Sequence, residues 1–247
     1  MFYLHQLFPL IVSFNCLNVF GFATSHWTTG RGVQSRSFMV TKIDGLDLTG
    51  DGGVIALGQD LPPPGDSNMA PGDKLVISYT GTLAQSQWSS EEVVKCWLNE
   101  QQGFEDAVEK FLEHKVDETM LTDAEHFTEE FIVKNLGMEN ASKIKVKKLV
   151  MAAKRLATAR SEFPVGEGFD SNDQYEIEWG VKPKLIPGMR HALEYMLAAG
   201  LESVSVKCRS DYAYGPEGYR KRTGEVLIPP FASLQFDITL VEGPTPQ

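Results

Sequence analysis

Ser233–Val241 reads SLQFDITLV, an alternation that puts Leu234, Phe236, Ile238 and Leu240 on one face and Gln235, Asp237 and Thr239 on the other. Successive side chains of a strand point to opposite sides, so this segment is a strand with one face in a core. Upstream, Lys74–Leu83 (KLVISYTGTL) is rich in β-branched and aromatic residues and follows a loop punctuated by Pro62, Pro63, Pro64 and Gly65, which makes it a second strand. Ser203–Cys208 alternates as well, with Val204, Val206 and Cys208 on one side. Cys208 stands where a core aliphatic would and reads as a small buried hydrophobe. One-sided alternation is the mark of an antiparallel sheet covered on a single face. The cover lies between Gly188 and Gly200, where Met189, Ala192, Leu193, Met196 and Leu197 recur at helical spacing. Pro187 at its start and Gly200 at its end fit the rules for helix boundaries. The expected class is α+β: a mostly antiparallel sheet with one short helix across it.

Between these flanks, residues 84–167 read as helices. Ser89 with Glu92, and Thr122 with Glu125, match the capping-box pattern. Apolar positions recur at helical spacing in Phe104, Val108, Phe111 and Leu112, in Phe127, Phe131 and Leu136, and in Val146, Leu149, Val150, Ala153 and Ala157. Charge is segregated: Glu91–Glu130 holds thirteen acids against Lys95, Lys110 and Lys115, whereas Ala141–Arg160 holds seven basic residues and no acid. A basic helix packed across acidic ones, apolar faces inward, accounts for this, and gives an all-helical insert with its own small core. A basic face for anionic lipid or nucleic acid is the alternative.

The start of the chain has a different composition, for its first acidic residue is Asp44. Leu7–Phe14 (LFPLIVSF) is too short to span a bilayer but long enough for a signal-peptide core, so residues 1–21 read as a signal peptide. Residues 22–43, FATSHWTTGRGVQSRSFMVTKI, are rich in Ser and Thr and carry Arg31, Arg36 and Lys42 without an acid, which is transit-peptide composition. The pair resembles the bipartite presequence of complex algal plastids and implies a plastid location. A plain secretory signal followed by a linker would imply the ER lumen or secretion instead.

With 42% apolar and 23% charged residues over 247 positions, the chain can bury a real core and is not disordered. A formal net charge of -10 opposes binding to phosphate backbones, so nucleic acid is not an expected partner. Cys16, Cys96 and Cys208 form neither a disulfide framework nor a CxxC site, the five histidines are scattered, and no metal or cofactor is expected. Stable membrane insertion of the mature protein is not expected either.

The flanks carry six motifs in order: SYTGTL (Ser78–Leu83), GFDS (Gly168–Ser171), LIPGM (Leu185–Met189), DYAYG (Asp211–Gly215), IPP (Ile228–Pro230) and LQFDITL (Leu234–Leu240). Together they resemble the FKBP-type peptidyl-prolyl cis-trans isomerases. The resemblance implies a domain over 44–243, interrupted by the 84–167 insert, in which a strongly twisted antiparallel sheet wraps around a short helix. It places the insertion in a hairpin turn, where a pre-folded segment with adjacent ends adds little closure cost. It also implies isomerisation of X-Pro bonds in proline-containing polypeptides without a cofactor. In the family's pocket Tyr79, Phe169, Asp170, Ile186, Tyr214 and Phe236 would act on the bound bond, with Tyr175, Leu185, Met189 and Ile228 completing the substrate walls. The Ile186 N–H and the Tyr214 hydroxyl would donate to ligand carbonyls, and Asp170 would be a polar group at the rim. Met189 replaces the family's common pocket-floor Trp, and the Arg that pairs with the rim carboxylate is missing. A non-catalytic binding or chaperone module, whose insert recruits a protein partner, is the competing reading.

Overall fold

The computed structural model of the protein describes residues 45–63, 65–67 and 69–245. The signal-peptide and transit-like assignments at 1–21 and 22–43 lie outside the described residues. Chain order is β1 (Gly45–Asp47), β2 (Val54–Leu57) and β3 (Lys74–Leu83), then the helices α1 (Ser90–Cys96), α2 (Val108–Glu113), α3 (Glu118–Thr122), α4 (Glu129–Lys134) and α5 (Lys143–Glu162). The chain continues through β4 (Gly168–Glu178), α6 (Pro187–Ala198), β5 (Ser203–Cys208), β6 (Tyr219–Arg220), β7 (Val226–Ile228) and β8 (Leu234–Thr245).

Six strands form one antiparallel sheet in the order β1-β2-β5-β8-β3-β4, and β6 and β7 make a separate hairpin. The expected α+β class, with an antiparallel sheet, a short helix and an interrupting helical segment, is the fold observed. On β8, Leu234, Phe236 and Ile238 are buried, and they oppose Cys208, Val206 and Val204 of β5 in register. Helix α6 lies on this face and buries Met189, Ala192, Leu193 and Met196. Its seat is close: a Cβ at Gly188 would stand 2.4 Å from the Cys208 sulfur, so the small residue and the small thiol fit one another. Burial pushes the Cys208 thiol up to about 12, consistent with a packing role.

The helices between Leu83 and Gly168 bury a second core, separate from the first, around Trp97, Phe111, Phe127, Leu136 and Leu149. The capping box at Ser89 and Glu92 forms with both of its reciprocal bonds. That at Thr122 and Glu125 does not. Thr122 ends α3, its hydroxyl donating to the Glu118 carbonyl at 2.7 Å, and Asp123 instead accepts from the Glu125 N–H at 2.8 Å. A short Asp side chain reaches its own downstream amides and takes the turn. Leu112, at helical spacing with its neighbours, faces solvent, because α2 is only six residues long and offers a narrow inner face. Helix α5 buries Val146, Leu149, Val150, Ala153 and Leu156 and keeps its lysines outside. Among the described residues no helix is long and apolar enough to cross a membrane.

Candidate functional site

The sheet presents Tyr79 from β3, Phe169, Asp170 and Tyr175 from β4, and Phe236 from β8 within one neighbourhood, since β3 pairs with both β4 and β8. The rings meet edge to face: Tyr79 with Tyr175 at 5.3 Å, Tyr79 with Phe236 at 6.4 Å, and Phe169 with Phe236 at 5.7 Å. This geometry sets the positive edge of one ring against the negative face of another. Gly81 makes it attainable, for a Cβ there would come within 2.5 Å of the Phe169 ring. The glycine of SYTGTL is thus the floor on which Phe169 rests.

Met189 and Ile228 are buried in the same apolar cluster as Tyr79 and Phe236, and Phe169, Tyr175, Leu185, Ile186 and Tyr214 pack against it half-buried. Nine of the ten pocket residues expected from sequence therefore share one cluster. The tenth, Asp170, is exposed and joins through its carboxylate, which accepts from the Tyr79 hydroxyl at 2.6 Å. Asp170 makes no ion pair among the described residues, and the Tyr79 hydroxyl is its hydrogen-bond partner. Ile186 caps the start of α6 with extended backbone. Its carbonyl accepts from Arg190, while its N–H has no partner among the described residues. Helix N-termini leave amides to be satisfied by other groups.

Three phenols face this carboxylate. Burial, with the hydrogen bond and charge of Asp170, holds Tyr79 far above the ordinary phenol value. Tyr175 is raised by burial and then by Asp170, and Tyr214 by burial, Asp170 and the neighbouring phenols. All three remain hydroxyl donors at neutral pH. With no hydroxyl–imidazole pair among them, the clustered residues provide apolar area and hydrogen-bond donors rather than a nucleophile.

The loop carrying Tyr214 is anchored from below. Arg209 is 5% exposed and donates to Asp211, Glu92 and Asp51 at 2.8, 3.1 and 2.9 Å. Lys95 of α1 also pairs with Asp51. Burial would raise both carboxyl groups, yet the cations and, at Asp51, the hydrogen bonds from Thr49 and Gly53 outweigh it and hold Asp51 and Asp211 below the usual range. Two of these residues, Glu92 and Lys95, belong to the insert. A second junction fixes the loop after Ile228. Arg160 of α5 donates to Glu118 at 2.7 Å and to the Phe231 carbonyl at 2.8 Å, and stacks on Trp88 at 5.2 Å. Trp88 in turn meets the Phe231 ring edge to face at 6.3 Å. Phe231 has φ +61, a left-handed conformation that costs about 1 kcal/mol for a residue with a Cβ. The insert thus grips a strained turn next to a pocket wall and is not a free appendage on the hairpin.

Sequence reasoning did not find Gly81, Arg160, Arg209 or the pairing of Tyr219 with Tyr214, whose rings lie 5.5 Å apart. The glycine lies inside the SYTGTL motif, and its role follows only from the Phe169 ring above it. The arginines were legible only as charges.

The family model for FKBP-type peptidyl-prolyl cis-trans isomerases matches residues 142–241. The match starts in the insert at the cap of α5 and takes in every expected pocket residue except Tyr79. Among solved structures, that of the three FKBP domains of wheat FKBP73 is similar at 14% identity with a TM-score of 0.34, over 80% of this chain. The chain spans about half of that protein's length, 47%. No curated protein matches the sequence.

Proposed function

We propose that the chain is an FKBP-type peptidyl-prolyl cis-trans isomerase that assists protein folding, a reading supported by the family-model match over residues 142–241. The observation that carries the reading is the convergence of Tyr79, Phe169, Tyr175 and Phe236 into one aromatic cluster, with Ile186, whose N–H has no partner among the described residues, packed against it. Rotation about a peptide C–N bond faces a barrier of ~18–20 kcal/mol because resonance gives it double-bond character. A catalyst of this step has to favour the twisted amide, and no covalent intermediate is needed. The planar amide has the larger charge separation and is stabilised by water on its carbonyl. The aromatic cluster removes that water, and its rings grip the proline ring. The Ile186 N–H and the Tyr214 hydroxyl hold flanking carbonyls, and the Tyr79–Asp170 bond fixes the rim. This role uses neither metal nor cofactor.

For the cellular setting we propose a plastid reached through the signal- and transit-like segments 1–21 and 22–43. A fluorescent fusion of these residues in a diatom-like cell tests it, with plastid fluorescence expected and cytosolic fluorescence contradicting it. A non-catalytic binding module is favoured by one observation, the Met189 side chain at the position where the family commonly has Trp. A protease-coupled assay on short X-Pro peptides separates the two. Isomerisation in proportion to protein concentration supports the enzyme, and binding without acceleration supports the module.

A further inference from the structure

A groove of about 360 Å³ runs between α5 and the β6–β7 hairpin, apart from the aromatic cluster of the candidate site. Met151, Val226 and Pro230 give it apolar walls, and Lys154, Arg155 and Arg220 give it charge. Glu162 is its single acid. The three cations form no ion pair among the described residues, Arg220 donating only to the Gly224 carbonyl. In a chain of net charge -10, three unpaired cations around one concavity are a local reversal of the field.

Two chain neighbours join the groove to the candidate site. Pro229 and Pro230 directly follow the pocket wall Ile228. Arg220 directly follows Tyr219, whose ring packs on Tyr214. Beyond the groove the outer face of α5 continues the same chemistry, with Ile144 70% and Met151 55% exposed among exposed Lys147, Lys148 and Lys154.

We infer that this groove holds the segment of a client polypeptide that flanks the bound proline, and that it selects an acidic, apolar-containing segment. The inference rests on the proposed isomerase reading for the proline itself. An extended chain advances about 3.3 Å per residue, and the groove begins one residue past a pocket wall. The preferred acids therefore fall about two to four residues from the proline. A polypeptide fits better than a polyphosphate or an anionic membrane. The site is a side-chain-sized concavity with apolar walls and an acid inside it, and the chain's overall charge repels a long polyanion.

The test uses fluorescent peptides with one X-Pro core and either a Glu/Leu-containing or a Ser/Gly flank, placed before or after the proline. Anisotropy reads binding and the isomerisation assay reads turnover. One arrangement of the acidic flank should bind about 5- to 10-fold more tightly at low salt, the range that two or three half-exposed ion pairs supply. Added salt should erode that advantage. The double variant Lys154→Ala/Arg155→Ala should lose it while turning over the Ser/Gly peptide as wild type does. Equal affinity for the two flanks in both arrangements, or an advantage that survives in the variant, overturns the inference. So does tighter, variant-sensitive binding of anionic vesicles or single-stranded oligonucleotide than of the acidic peptide. Failure of the isomerase reading is separate: it shows as absent turnover of the Ser/Gly peptide, while anisotropy still reads the groove.

Discussion

Replacing Arg160 by Ala removes three contacts at once: the ion pair to Glu118, the bond to the Phe231 carbonyl and the stack on Trp88. The Glu118 side chain is 8% exposed and would be left as a buried carboxylate whose only bond comes from the Trp88 N–H at 3.0 Å. Breaking a fully buried pair from one side costs ~3–5 kcal/mol. The Arg160 side chain is 23% exposed, so water partly replaces it and about 2–3 kcal/mol is the expected loss. For a protein of this size that is a fall in Tm of roughly 5–10 °C. Arg160 touches no pocket residue, yet Phe231 follows the IPP segment, and freeing its left-handed turn should let the Ile228 wall move. Denaturant titration and peptide isomerisation, measured on the same preparation, should show lower stability together with a several-fold lower kcat/KM. The double variant Arg160→Ala/Glu118→Ala should be less damaged than the sum of the singles. Unchanged stability would refute the junction as a structural bond. A full stability loss with wild-type turnover would refute the claim that the insert holds the pocket wall.

Phe236→Ala, at 2% exposure, should cost about 3–5 kcal/mol and most of the activity, read by denaturation and isomerisation. Tyr79→Phe deletes only the bond to Asp170 and should cost about 0.5–1.5 kcal/mol with a milder kinetic loss. Gly81→Ala should displace the Phe169 ring and lower kcat/KM with little change in secondary structure by circular dichroism. Asp51 and Asp211 are depressed below the ordinary 3.8, so the stability they contribute is present above that pH and is lost as pH falls through their folded values. Denaturation midpoints should drop below about pH 4, and less so in Arg209→Met. The phenol of Tyr79 is raised above its ordinary 10.0, so its contribution persists below pH 10 and is lost as pH rises further.

The sheet was legible because alternation records which face meets the core. Leu234, Phe236 and Ile238 announce their own burial, and the partners Val204 and Val206 do the same on the neighbouring strand. Helix α6 was legible at both ends through Pro187 and Gly200, whereas buried Tyr195 was not, since its hydroxyl finds the Pro62 carbonyl at 2.9 Å only in the folded chain. The candidate site was legible through ordered motifs. What escaped is long-range: Arg209 reaches Glu92 across 117 positions and Arg160 reaches Phe231 across 71. A local pattern cannot tell such an arginine from a solvated one. The cap at Thr122 failed for a related reason, because Asp123, one residue on, competes for the same amides.

Exchange spectroscopy on a short Ala-Pro peptide with substoichiometric protein tests the central claim most directly, since it reads rotation about the bond without a coupling protease. Free X-Pro bonds interconvert in tens to hundreds of seconds. Wild-type protein should bring exchange below about one second, with the peptide shifting resonances of Tyr79, Phe169, Tyr214 and Phe236 and the Phe236→Ala variant losing the acceleration. Exchange at the uncatalysed rate in the presence of folded wild-type protein would contradict the account.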